Sequence, residues 1–505
     1  MASSWLLRNI TSFDVSSLLG LFGTTILCYW LVPFLHGLLF APTRNVRGPL
    51  LARLTRYSEL GSVLKGDNNL EYIRLHKKYG SVVRVSPNRY SFSDPADVKK
   101  IYEHGAKLMK TEFYESLEIP GDDRSNIFIM RDANKHRERR RKIANLYSMS
   151  TMVSYEEAVD KMTGVCLRKM DQFSTENRQI SLPQFMQYYA FDVIGEITFT
   201  KSFDMMDKEA DSLEIIKDLH AQLRHLAQIG LVPDLNSWVH RYYRLVGKTQ
   251  STQALGMMID SQVSKFREAN KKGDQVAPYD SFLKKLIELE AESKVGPIHI
   301  FDSCGSNIGA GSDTTGITLS TAFWYLYRNP DKLFKLRHEI DTLAAEGKIS
   351  DPITFQEAQK MPYLQAVIKE SLRIHPAVGT MLPRKVPKGG IELAGTYFPE
   401  GIDVGANAWV LHHNKDIYGQ DADEYRPERW LEEKGEGDLK ESMMFAFGAG
   451  SRTCIGKNIS LLEINKVVPQ IVRKFDIVFE NDEPLKTYAA WFVFPDFNVQ
   501  VKPRE

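Results

Sequence analysis

From Val15 to Phe40 the chain carries no Asp, Glu, Lys or Arg. A bilayer core about 30 Å thick needs roughly 20 helical residues, and this run is longer, so the pattern predicts a membrane-spanning anchor. A cleaved secretory leader would have a shorter apolar region, about 7–15 residues, ending at small side chains. Arg44, Arg47, Arg53 and Arg56 follow the run, and among basic residues only Arg8 precedes it. By the positive-inside rule the bulk of the chain then faces the cytosol. The expected organisation is a lumenal N-terminus over 1–14, the anchor over 15–40, a basic hinge stiffened by Pro42 and Pro49 over 41–50, and one domain over 51–505. The sequon Asn9-Ile10-Thr11 would be lumenal, whereas Asn458-Ile459-Ser460 would stay cytosolic and unmodified.

Past the hinge the hydrophobic period changes several times. "EYIRLHKKYG" has helical spacing, and "SVVRVSPNRYSFSD" after it is rich in β-branched and aromatic residues, as two short strands would be. From Asp94 to about Pro383 helical patterning dominates, with "REANKKGDQVAP" as a surface connection. "GGIELAGTYFPEGIDVGANAWV" reads as strands and turns, and "FDIVFENDEPLKTYAAWFVFPDFNVQVKP" as closing hairpins. The expected fold class is mainly α with small peripheral β-sheets, without internal repeats.

Composition narrows the function classes. A chain of 505 residues that is 43% hydrophobic can bury a large core, which excludes a disordered or fibrous protein. Lys plus Arg, 65, balances Asp plus Glu, 64, so no global charge favours nucleic acid. Cys28, Cys166, Cys304 and Cys454 are too scattered for a zinc site or a redox dithiol, and fit a reducing compartment.

Two segments carry candidate chemistry. "PIHIFDSCGSNIGAGSDTTGITLSTAFWYLYRNP" starts on Pro297 and stops before Pro330, predicting one helix of roughly 48 Å. Gly305, Gly309, Gly311 and Gly316 each cost such a helix about 1 kcal/mol relative to alanine, so tertiary context must compensate. Either a flat, bulky object lies against it, with a local opening of the ladder near Thr314, or another helix crosses closely on the small residues. Asn307, Ala310, Gly311 and Thr314 share a face by spacing.

The second segment is "FAFGAGSRTCIG", Phe445 to Gly456. A lone cysteine is ordinarily an inert hydrophobe. Here Gly448, Gly450 and Gly456 free the backbone to approach a ligand, and the helical pattern after them would aim N–H groups at the sulfur of Cys454. Arg452 adds a positive charge. A thiolate so protected suits nucleophilic catalysis or coordination of a metal with soft ligands, and no partner histidine stands out by spacing.

Phe447, Gly450, Arg452, Cys454 and Gly456 match FxxGxRxCxG, and on them the chain resembles the cytochrome P-450 family. The resemblance implies that Cys454 is the axial ligand of haem b and that Arg452 pairs with a propionate. "AGSDTT", Ala310 to Thr315, resembles the oxygen-binding segment of the family's distal helix, with Asp313 and Thr314 as an acid-alcohol proton relay and Ala310 and Gly311 against the haem. Glu370 and Arg373 of "ESLR" and Arg429 of "PERW" resemble the family's buried structural ion network. His136 and Arg140 stand where the family often has Trp and Arg on the propionates, and Arg384 looks like a further partner. The basic run Arg137 to Lys142 is either a solvated face or a docking surface for an acidic electron donor.

The resemblance implies oxygen insertion into an apolar substrate. Electrons would come from NADPH through a separate NADPH-cytochrome P-450 reductase, with cytochrome b5 as a second donor, at the endoplasmic reticulum membrane. Substrate contacts would come from Phe113 to Phe128, Asn307, Val378, Trp491 and Phe492, with Asn307 as a polar reader. "LPRKVPKGG" and "CIGKNISLLEINK" are similar to fungal enzymes of the pisatin demethylase and benzoate hydroxylase kind, implying secondary metabolism. The rival readings are a thiolate-haem isomerase or dehydratase, and a membrane-anchored haem sensor or carrier.

Overall fold

The uncharged N-terminal run folds as α1, Val15–Leu39. Leu19, Phe22, Tyr29 and Val32 on it are exposed. The computed structural model describes residues 15–39, 41–118, 126–246, 252–272, 279–432 and 439–504. The expected lumenal segment with its sequon, and residue 40 of the expected anchor, lie outside them. Among the described residues no helix is long and apolar enough to cross a membrane, several side chains of α1 lying outside that set.

α2, Asn68–Tyr79, leads into β1, Val82–Ser86, and β2, Arg89–Phe92, as their periods predict. These strands open a five-stranded sheet ordered β1-β2-β8-β5-β3, with β3 at Met109–Lys110, β5 at Arg384–Lys385 and β8 at Asp403–Gly405. β2 and β8 run parallel and the other pairs antiparallel. β4, Gln179–Ser181, pairs with β12, Asn498–Pro503, which also pairs with β9, Phe475–Phe479. β6–β7, Ile391–Leu393 with Thr396–Phe398, and β10–β11, Lys486–Ala489 with Val493–Asp496, form hairpins.

Helices make up the rest of the body. Those that frame the site are α3, Ala133–Ile143; α4, Leu182–Phe199; α5, Ile215–Ile229; α6, Asn236–Leu245; α7, Pro297–Tyr327; α8, Pro362–Ile374; and α9, Lys457–Lys474. α4 and α7 are buried over most of their length, and the largest hydrophobic cluster surrounds them and α9.

The structure corrects three readings. α7 is a continuous α-helix, without a break at Thr314; that hydroxyl instead donates to the Ala310 carbonyl at 2.8 Å. Of its glycines, Gly316 admits a close crossing by α4, since a Cβ there would stand 2.9 Å from the Gln187 Cα. Gly311 faces Ile194, also on α4, at 3.4 Å. The close-crossing alternative therefore accounts for these two positions. Finally, Ala408 to Val410, the end of a stretch expected as strands and turns, belongs to a short helix, Ala408–His412: the Asn407 side chain accepts the Trp409 N–H at 2.8 Å, and all five residues are buried.

Candidate haem-thiolate site

The loop from Phe445 to Gly456 is held by its own backbone. Gly448 N–H donates to Phe445 O and Cys454 N–H to Phe447 O, both at 2.9 Å. Gly450 adopts φ 64°, and a Cβ there would lie 1.7 Å from the Tyr102 carbonyl oxygen, so no other residue fits. Cys454 is an exposed residue, yet burial pushes its thiol up. Both hold when a side chain faces a cavity inside the protein. The N–H groups of Gly456 and Lys457 at the start of α9, and the charges of Arg140 and Lys457, favour the thiolate against that burial. The Lys457 ammonium lies 5.6 Å from the centre of the Phe447 ring.

Basic groups converge beside this loop. Arg140 on α3 donates to the Thr453 carbonyl at 2.8 Å, and Arg452 donates to the carbonyls of Met130 and Arg131 at 2.8 and 3.1 Å. Arg384 on β5 donates to the Pro383 carbonyl at 3.0 Å and to the Tyr114 hydroxyl at 3.4 Å. Burial, then the charges of Arg384, Arg452 and Arg140, holds the Lys110 ammonium well below its ordinary range. His136 is pushed down to about 3 by burial and then by Arg452, Lys110, Arg140 and Arg384. Arg452 is lowered to about 10 by burial and then chiefly by Arg384. Sequence reasoning named His136, Arg140, Arg384 and Arg452 but missed Lys110 and Tyr114, which reach the cluster through the fold. Such a group of basic side chains, whose charging is opposed by burial and by the neighbouring guanidinium groups, suits a ligand with more than one carboxylate.

Along α7, Ala310 is exposed and Gly311 and Thr314 are half-buried, whereas Ile308, Ser312, Asp313 and Thr315 are buried. The exposed Ala310 therefore lies in the middle of the helix, apart from the exposed first residues Pro297 and Ile298. Thr315 donates to Ser460 on α9 at 3.1 Å, which ties this stretch to the helix behind Cys454. Asp313 accepts a 2.5 Å hydrogen bond from Gln187. Asn307 does not join the stripe: it is buried, its Oδ1 accepts from Tyr147 at 2.7 Å and its Nδ2 donates to Thr198 at 3.3 Å. Its amide is thus committed to the interior and is not offered to a substrate.

Glu370, Arg373 and Arg429 form one buried network. Arg373 donates twice to Glu370 at 2.8 Å and Arg429 once at 3.0 Å, all three side chains having no solvent exposure. Trp430 and the Arg426 N–H also donate to Glu370, at 2.9 and 2.8 Å. His412 joins this network to the cysteine loop, its Nε2 accepting the Phe445 N–H at 2.8 Å and its Nδ1 donating to the Arg373 carbonyl at 2.9 Å. No local spacing signals that role. On the other side, Val378 bridges Phe492, and Trp491 packs among Phe113, Tyr114 and Phe128 with centroids 5.5–6.4 Å apart. Residues 119–125 of the expected substrate segment lie outside the described set. On α3, Arg137 and Arg141 are exposed, while Arg139 pairs with Asp302 at 3.7 Å.

A soft ligand in a cavity, cations for paired carboxylates and a bare helix stripe together fit an iron porphyrin. The family model for cytochrome P450 matches residues 49–503. The chain is 41% identical to a pisatin demethylase of Fusarium vanettenii over 97% of this chain and 96% of that one. It is 36% identical to a cytochrome P450 monooxygenase of Aspergillus terreus, over 86% of this chain and 90% of the relative. It is 33% identical to cytochrome P450 monooxygenase cicH of Emericella nidulans, over 91% and 94%. With the family model matching residues 49–503 and relatives at 41% and 36% identity over most of their length, the chain belongs to the cytochrome P450 family.

Proposed function

We propose that the protein is a monooxygenase of secondary metabolism that holds haem b on Cys454 and inserts one oxygen atom from O2 into an apolar small molecule. Electrons come from NADPH through a separate reductase, with cytochrome b5 as a second donor, and Arg137 and Arg141 offer that donor an exposed basic face. The observation that carries the reading is the Cys454 sulfur, accessible yet deep in the protein beside Arg140. Bound haem supplies the redox chemistry that activates oxygen.

The remaining tasks fall to the chain. Arg140, Arg384, Arg452, His136, Lys110 and Tyr114 would hold the haem propionates. Phe447, Gly450 and Gly456 would shape the loop that holds the haem, and the exposed Ala310 on α7 would leave room for it. Each turnover consumes two electrons and two protons, RH + O2 + 2e⁻ + 2H⁺ giving ROH + H2O. Thr314, whose hydroxyl donates to the Ala310 carbonyl, would hold a proton on the open stripe of α7, and Asp313 would supply it. Val378, Trp491 and Phe492 give the substrate an apolar wall. Likeness to pisatin demethylase makes oxidative removal of a methyl group, released as formaldehyde, the reaction to test first.

The uncharged α1 and the basic residues after it support anchoring in the endoplasmic reticulum membrane, with the domain in the cytosol. The test is expression in yeast microsomes with a P450 reductase. Reduced, CO-treated membranes should show the absorption maximum diagnostic of thiolate ligation, and Cys454→Ser should abolish it; a variant that kept the maximum would refute the assignment. Turnover of pisatin should require both NADPH and O2. Product formed without them would instead indicate an isomerase or dehydratase.

A further inference from the structure

On the side of α7 that meets α4 and α5, Asp313 borders a cavity of about 420 Å³, which reaches solvent past the exposed Arg224, Tyr488 and Asp496. That volume is in the range of small-molecule sites. Pro183, Ile216, Ile317, Ala490, Phe494 and Pro495 make most of its wall apolar. Val378, Trp491 and Phe492, the wall assigned to substrate, do not line it. Its deep polar groups are few and fixed. Asp313 is 1% exposed; its Oδ1 accepts from Gln187 on α4 at 2.5 Å, and among the described residues its Oδ2 has no hydrogen-bond partner. A buried carboxylate oxygen left so is costly, which makes it a ready acceptor for a donor that enters the cavity. The other hydrogen of the Gln187 amide goes to Nε2 of His220 on α5, 3.0 Å away, so the neutral His220 ring carries its own hydrogen on Nδ1. That ring packs against Phe494 with centroids 4.5 Å apart, and its side chain is 25% exposed.

We propose that this cavity is a second small-molecule site, distinct from the substrate pocket, and that it takes a phenol whose hydroxyl donates to Asp313 Oδ2 while its aromatic body lies against Ile216, Ile317 and Phe494. The donor and acceptor set selects this class. A phenolic O–H, with a pKa of about 10, is a stronger donor than an aliphatic hydroxyl, and hydrogen bonds to an ionised acceptor are the strong kind. A methyl ether of the same shape has no hydrogen to give, so it would leave the Asp313 oxygen unpaired and is disfavoured. An ammonium ligand would meet the Arg224 guanidinium at the mouth, whereas further oxygens on a phenol can accept from Arg224 and from His220 Nδ1. The consequence rests on the proposed function, in its demethylation and in its role for Asp313. Removal of a methyl group from an aryl ether leaves a phenol, so the enzyme makes the ligand of its own second site. Bound there, the product occupies Asp313 and slows turnover without competing for the substrate pocket.

The test uses the full-length enzyme in detergent, with clotrimazole on the haem iron so that the substrate pocket is filled. The probes are 2-naphthol and its methyl ether, 2-methoxynaphthalene, both read by naphthalene fluorescence. In wild type 2-naphthol should bind with the azole band unchanged, and the ether should bind roughly ten- to a hundredfold more weakly, the scale of one hydrogen bond to a charged group. Asp313→Asn should bring the two probes to within about threefold of each other, and Ile216→Trp, which fills the cavity, should abolish binding of both. In reductase-containing microsomes 2-naphthol should lower kcat for pisatin and leave KM unchanged. Displacement of the azole by 2-naphthol, or competitive inhibition, would place the phenol in the substrate pocket and refute the second site. Equal binding of the two probes to wild type, or a preference for 2-naphthol that survives Asp313→Asn, would refute the Asp313 contact and with it the proposal. Enzyme that gave no azole band would refute the haem site instead, and the ratio of the two probes would still decide on the cavity.

Discussion

Glu370 accepts hydrogen bonds from Arg373, Arg429, Trp430 and the Arg426 backbone in a region without solvent. Replacing it with Gln leaves two guanidinium charges buried without their carboxylate. A loss of about 3–5 kcal/mol is expected, read as a lower denaturant midpoint together with loss of the CO band. His412 makes a subtler prediction. Burial, then the Arg373 charge, pushes it down to about 3, against about 6.5 in an unfolded chain. Above about pH 6.5 neither state holds the proton, and the stability is full. As the pH falls below that, the unfolded chain takes up a proton that the folded one refuses. Stability then drops by at most about 1.4 kcal/mol per pH unit and levels off near pH 3. Denaturation midpoints at pH 7 and pH 5 should therefore differ less in His412→Gln than in wild type. Cys454, Gly450 and Arg452 are legible in the sequence because their spacing is local. Lys110, Tyr114, His412 and His220 are not, because each acquires its partners from a distant part of the chain.

At the scale of elements, α7 is legible from its bounding prolines, and β1 and β2 from their β-branched and aromatic residues. β3 and β4 escape a local reading: they are two and three residues long and exist by pairing with β5 and β12. The crossing of α4 over α7 rests on Gly316, where a side chain would meet the Gln187 backbone. Gly316→Val should cost about 1–3 kcal/mol by overpacking, measurable as a lower midpoint of thermal unfolding. Because Gln187 also carries the amide that holds Asp313, the variant should slow NADPH oxidation in air more than it slows formation of the CO band.

Over the whole molecule, exposed apolar side chains occur on α6 and on the segment just past the hinge, at Leu50, Leu51, Leu54 and Tyr57. Trp238, Tyr242 and Leu245 on α6 are 66%, 60% and 80% exposed. Asp234, just before α6, pairs with Arg56 at 2.5 Å, which sets this surface beside the chain just past the hinge. An exposed pair of this kind contributes under about 1 kcal/mol; its interest is in what it brings together. Deleting residues 1–40 should abolish resistance to alkaline carbonate extraction. The truncated protein should still need detergent to stay monomeric, and Trp238→Ser with Leu245→Ser should relieve that need, as size-exclusion chromatography will show.

The basic groups at Lys110, His136, Arg140, Arg384 and Arg452 repel one another, and burial together with this repulsion holds Lys110, His136 and Arg452 below their ordinary values. Polypeptide that emerges from the ribosome ahead of its porphyrin must assemble against that opposition. Yield in a heterologous host should therefore track the supply of haem precursor, and feeding 5-aminolevulinate should raise recovered protein more than a stronger promoter does.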